Sequence, residues 1–207
     1  MTDERRGGDP LAAAARLPPG AAVILRHDGA EGREVLAASL ARLCRSRRLR
    51  LLVARDARLA LSLRAGLHLA EGMRPPAPFR LARRRPRRPL LTIAAHGMAA
   101  LARAHRLGAD LALLSPLFPT ESHPGARPLG TLRFAGLARC ARLPVAALGG
   151  VTASRVAAAR AAGAAAVASV GALHGAATRM CCSPATVFPE THNGSFRPVD
   201  TDARGWA

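Results

Sequence analysis

The sequence contains no lysine and no tyrosine, and aromatic residues make up only 3% of its 207 positions. Arginine therefore supplies all 31 of the Lys and Arg charges, against 13 acids, for a net charge of +18. A surface built to hold nucleic acid usually mixes lysine with arginine and adds rings on which bases stack. Saturation with Ala and Arg, lacking both, points instead to a bias towards GC-rich codons, and nucleic acid is not the expected partner. The charge still draws phosphorylated small molecules at long range. Long apolar runs are missing too. Arginines interrupt each one before the ~18 residues that a membrane helix needs, so no membrane partner is expected. The start, Met1-Thr2-Asp3-Glu4-Arg5-Arg6, leads into no apolar stretch of the secretory kind. The expected address is the cytoplasm. Cys44, Cys140, Cys181 and Cys182 have no metal-ligand spacing. Cys44 and Cys140 lie inside apolar helical patterns and are expected to be buried thiols.

What is present is a hydrophobic fraction of 49%, enough to bury a core. Short apolar runs end in polar turns and are followed by helical spacing. Ala21–Leu25 ends at Arg26-His27-Asp28-Gly29, and Val35, Leu36, Ser39, Leu40 and Leu43 then recur at helical intervals. The runs 51–54, 67–69, 90–95, 111–114, 145–148 and 165–170 repeat the theme. Helices are expected over 98–107, closed by Gly108, over 131–141, and from a Thr152 cap to Ala162. Near-continuously apolar strands alternating with helices imply a parallel sheet covered by helices. Doubly wound sheets and (β/α)8 barrels both satisfy that. Polar residues at the C-terminal ends of several strands favour the barrel.

The fold class expected is thus α/β, a TIM-type (β/α)8 barrel. Only seven strands can be counted, so the first is lacking or truncated. The barrel is expected to span 1–173, with an irregular tail over 174–207. The segment 74–89 carries seven arginines among five prolines and is expected to form no regular helix.

Gly149-Gly150 follows one strand and precedes Thr152 and Ser154, and Ser169-Val170-Gly171 ends the next. Glycines and a helix start offer backbone N–H groups to phosphate. A tight βα turn would use the same glycines. The loop 115–125 is long for a βα connection. Within it Thr120 and Ser122 can hold oxyanions, and His123 can move a proton. His96 ends a strand and should face the barrel mouth, whereas His68 lies within one and reads as a hydrogen-bonded core residue. Arg26 is a candidate anion clamp. The catalytic candidates are His123 and His96. The phosphate-binding candidates are Arg26, Thr120, Ser122, Gly149, Gly150, Ser169 and Val170, and no metal ligand is proposed.

The stretches LGADLALLSPLFPTESHPGARPLG (107–130) and LPVAALGGVTASRVAAARAAGAAAVASVGAL (143–173) resemble the thiamine phosphate synthase/TenI superfamily. More loosely, VILRHDG and AGLHLAE resemble its earlier strands, and MTDERRGGDPL the end of its first strand and the helix after it. The resemblance implies a (β/α)8 barrel with small phosphorylated thiamine precursors as partners. Synthases of the family join hydroxymethylpyrimidine pyrophosphate to thiazole phosphate, releasing pyrophosphate, with Mg²⁺ as cofactor. TenI proteins isomerise the thiazole phosphate precursor by proton transfer. By the same resemblance, Gly149, Gly150, Ser169 and Val170 match the thiazole phosphate pocket, Thr120 and Ser122 the substrate loop, and Arg26 the strand arginine. The match departs where Mg²⁺ would bind: the Asn-Asp pair lines up with Ala54-Arg55, and Glu71 is the nearest carboxylate to the next ligand. The expected function is that of a thiamine phosphate synthase-like protein, of full or reduced activity. The alternatives are a metal-independent TenI-like isomerase and a non-catalytic barrel for phosphate ligands or polyanions.

Overall fold

In the computed structural model, residues 1–2, 8–27, 29, 31–120, 125 and 127–170 are described. The expected segment 174–207 lies outside them, as do Ser122, His123 and Gly171.

Seven parallel strands run in chain order across one sheet: β1 (Ala22–Leu25), β2 (Arg50–Ala54), β3 (Gly66–Leu69), β4 (Leu91–Ala95), β5 (Leu111–Leu114), β6 (Val145–Ala147) and β7 (Ala166–Val167). The helices are α1 (Pro10–Ala15), α2 (Arg33–Ser46), α3 (Ala57–Ser62), α4 (Ala77–Ala82), α5 (Met98–Arg106), α6 (Gly130–Cys140) and α7 (Val156–Ala161), the last preceded by a 3-10 turn, Ala153–Arg155. This is a TIM-type fold with a truncated barrel. Between the two edge strands stand Met1 and Thr2. The Thr2 amide donates to Ile24 O (2.9 Å), and the Met1 amine donates to Ser169 O (3.0 Å).

The strands read as continuous apolar runs because both their faces are buried. Val23, Leu25, Leu51, Val53, Ala112, Leu114, Val145 and Ala147 point outward into one core shared with the helices. Their alternates, Ile24, Leu52, Ala54, Leu111, Leu113 and Ala146, fill a second core inside the barrel. The period of two is thus preserved, although polarity does not reveal it.

Three expectations are corrected. The segment 74–89 does contain a short helix, α4, because Pro76 caps it and Pro78 sits in its first turn, where a missing N–H breaks no bond. Phe79 anchors it with 0% exposure. Cys140 is exposed at the last position of α6, while Cys44 is buried as expected. The α2 stripe is also turned: Ala37, Leu40, Ala41 and Cys44 are buried, whereas Val35 is 72% exposed.

Asp110 fastens the arginine-rich segment to the sheet. Its carboxylate accepts from the Leu91 amide (2.8 Å), from Arg83 (2.7 and 3.3 Å) and from Arg88 (2.9 Å). Arg83 also donates to the carbonyls of Pro89 and Gly108. At least two of the seven arginines in that stretch therefore serve the fold.

Candidate active site

Parallel strands deliver all their C-terminal ends to one rim, where the βα loops begin. There the loop after β5 and the turn after β6 are stitched together. The Leu117 amide donates to Leu148 O (2.9 Å) and the Phe118 amide to Gly149 O (3.0 Å). Arg155 donates to Gly150 O (3.0 Å) and lies 5.1 Å from the centre of the Phe118 ring.

Packing gives the two glycines their physical reason. Gly149 has φ +92° and Gly150 φ +63°, values that L side chains rarely adopt. A Cβ on Gly149 would lie 2.8 Å from Pro116 Cα, and one on Gly150 only 2.3 Å from Pro119 O. That face of the turn is closed by protein, so a ligand cannot approach over it. The amides are a different matter. Among the described residues, no hydrogen bond from the backbone N–H of Gly149, Gly150 or Val151 is present. The β6–β7 register, in which Ala147 pairs with Val167, carries Ser169 level with Gly149.

The expected Thr152 side-chain cap is absent. Its hydroxyl meets Ser154 Oγ at 3.0 Å instead, and a 3-10 turn opens the helix. Ser169 gives its carbonyl to the Met1 amine. With Val170 it also lines a small open cleft of about 30 Å³ against Met1, Thr2 and the inner side of α1.

Arg26 follows β1, and its amide donates to Thr2 Oγ1 (3.0 Å). The same hydroxyl meets Nδ1 of the buried His27 at 2.9 Å. Inside the barrel, His68 Nδ1 meets Thr92 Oγ1 at 2.9 Å. Burial first, and then the charges of Arg26, Arg55 and the Met1 amine, lower His68 to about 4. Burial and Arg26 likewise lower the Met1 amine to about 6.

A second constellation stands at the ends of β3 and β4. His96 Nδ1 lies 2.6 Å from Glu71 Oε2, with both side chains about half exposed. Arg103 reaches back to Gly72 O and steadies that turn. The pairing of Glu71 with His96 was not apparent in the sequence. Twenty-five positions separate the two, and only the β3–β4 register (Leu69 beside Ile93) makes them neighbours.

Thr120 belongs to the described part of the loop after β5. The other loop candidates, Ser122 and His123, lie outside it, so Thr120, Gly149–Gly150 and Ser169–Val170 remain the described candidates on the β5–β7 side. Arg26 belongs to the β1–β3 side, and His96 to the β3–β4 side. Asp56 accepts from the Leu59 amide (2.9 Å) and faces Arg33 (3.7 Å), so it caps α3. Among the described residues, no three His, Cys, Asp or Glu side chains gather as metal ligands. Nor is any helix there long and apolar enough to cross a membrane.

The family model described as thiamine monophosphate synthase matches residues 5–173. The chain belongs to the thiamine monophosphate synthase/TenI family. A family relative from Aquifex aeolicus (strain VF5), named "Putative thiamine-phosphate synthase 2", is 36% identical over 95 residues, 45% of this chain and 50% of its own length. The match thus spans about half of that relative. Among solved structures, a thiamine phosphate pyrophosphorylase from Pyrococcus furiosus superposes with a TM-score of 0.66 at 21% identity, covering 82% of each chain. FabK from Thermotoga maritima gives 0.60 at 18% identity, covering 80% of this chain and 55% of its own. At such identities these likenesses speak for the barrel alone.

Proposed function

We propose that this family member is a thiamine phosphate synthase-like transferase. It binds thiazole phosphate at the turn Gly149–Val151, with Ser169 and Val170 alongside, and joins it to hydroxymethylpyrimidine pyrophosphate, releasing pyrophosphate. The observation that carries this reading is the run of amides at 149–151 that donate to nothing among the described residues, one strand from Ser169. Backbone N–H groups fixed by a packed turn meet a phosphate dianion without reorganising, which is where a preorganised site has its advantage. Thr120, Ser122 and His123 are proposed to contact the substrate, and Arg26 to attract its charge.

Calorimetric titration with thiazole phosphate tests the site. Gly150→Asp places a carboxylate beside the amides and against Pro119 O, and it abolishes binding. Ser169→Ala leaves the turn intact and weakens affinity by about tenfold, the worth of one charge-assisted hydrogen bond. Unchanged affinity in both variants refutes the site. Turnover with both substrates is expected to be slow and to respond little to Mg²⁺.

The His96–Glu71 pair favours a second reading, a TenI-like isomerase working by proton transfer without metal. A carboxylate 2.6 Å from an imidazole can hold the ring's orientation and tautomer while the other nitrogen exchanges a proton. Conversion of the thiazole precursor with no pyrimidine substrate present distinguishes the two.

A further inference from the structure

The inward-facing strand ends bring one more polar group to the rim. On β5, Leu113 points into the barrel and Leu114 out of it, so Ser115, the next residue, points in again. The pairing extends past the strand end: the Ser115 amide donates to Ala95 O (3.1 Å), and the Leu148 amide to Leu114 O (3.1 Å). Leu114 pairs with Ala95 on one side and with Ala147 on the other, which sets His96, Ser115 and Leu148 in one level row across β4, β5 and β6. Beneath that row lie Ala94, Leu113 and Ala146, an apolar layer.

Ser115 is 8% exposed, yet its hydroxyl makes no hydrogen bond among the described residues. A buried hydroxyl without a partner costs stability, so the fold gains nothing by keeping it there. Its oxygen is not fully enclosed, and an inward-facing oxygen at this height opens on the barrel mouth. The place lies between the two constellations described above. His96, with Glu71 behind it, stands on one side. On the other, Leu148 leads directly into the amides of 149–151. One strand spacing across and one residue along come to about 6 Å, within the reach of a small ring with a phosphorylated arm.

We propose that Ser115 holds the ring end of the substrate and selects for it. Its O–H donates to the nitrogen of a heteroaromatic ring lying over Leu113 and Leu148, while the phosphate on the ring's arm meets Gly149–Val151. The proposal rests on the transferase reading for the identity of the ring, a thiazole. The nitrogen carries that ring's basic lone pair, so it is also the atom that forms the bond to the pyrimidine-bearing carbon as the carbon–oxygen electron pair leaves with pyrophosphate. The Ser115 bond therefore belongs to the bound ground state and is given up as the new bond forms.

Thiazole phosphate and inorganic phosphate are titrated calorimetrically into wild type, Ser115→Ala, Ser115→Gly and Gly150→Asp, with urea midpoints measured alongside. Thiazole phosphate weakens by about fivefold in both Ser115 variants, as for one neutral hydrogen bond, whereas inorganic phosphate changes by less than about twofold. The Ser115→Ala midpoint does not fall, because the hydroxyl supports nothing in the fold. In turnover, Ser115→Ala raises KM and leaves kcat undiminished. An unchanged Kd for thiazole phosphate overturns the proposal, and so does a lowered kcat at unchanged KM. An equal loss for inorganic phosphate overturns it by placing the hydroxyl on the phosphate, and a midpoint that falls with the affinity does so by making Ser115 structural. Binding that survives Gly150→Asp but weakens in the Ser115 variants leaves the ring contact standing and moves the phosphate away from 149–151. Failure of thiazole phosphate to bind wild type overturns the two together.

Discussion

Acid should destabilise this protein through His68, and by an amount that can be worked out. The ring is 5% exposed and lies against Thr92, and its pKa falls from 6.5 to about 4. In the unfolded chain the same imidazole takes up its proton near the ordinary value. Between the two values the unfolded chain holds a proton that the folded one lacks, so stability falls as the pH falls. The slope is about 1.4 kcal/mol per pH unit, and the whole window is worth about 3 kcal/mol, fully lost below the folded pKa. Above the unfolded pKa the ring is neutral in both states and contributes no slope. Urea unfolding of wild type and His68→Leu between about pH 7 and about pH 4.5 isolates the effect, since carboxylates titrate alike in both. The variant leaves the Thr92 hydroxyl without its partner, a cost that does not vary with pH. Wild type should therefore lose stability faster than His68→Leu as acid is added. Parallel curves would refute the burial argument.

Asp110→Ala strands Arg83 and Arg88 and frees the Leu91 amide. At 9% and 12% side-chain exposure for Arg83 and Asp110, the loss should be about 3 kcal/mol in urea unfolding, and less than about 1 kcal/mol would show that the clamp is idle. If His96 moves a proton, Glu71→Gln keeps the shape of its partner but removes the charge, and isomerisation of the thiazole precursor should slow by about tenfold. An unaltered rate would detach Glu71 from the chemistry.

The strands were legible because a parallel strand buried on both faces is a short apolar run with a polar end, and each of the seven shows that pattern. Less legible was whatever depends on register or on the third dimension. Pro75 and Pro76 concealed α4, since proline forbids a helix interior but suits a helix start. The phase of α2 was misjudged at Val35 because alanines carry half of its buried face and look neutral in sequence. Gly149 and Gly150 stood out as phosphate-turn glycines, but their packing against Pro116 and Pro119 is visible only in space. Glu71 and His96 needed the β3–β4 pairing to meet.

The join between Met1-Thr2 and the two outermost strands has its own consequence. A complete ring of strands distributes any opening stress over ladders of equal strength. Here β1 and β2 share a four-residue register, whereas among the described residues a main-chain bond from Met1 to Ser169 and one from Thr2 to Ile24 link the outermost strands through a segment that belongs to neither. Whatever displaces that pair of residues acts on both ends of the sheet at once.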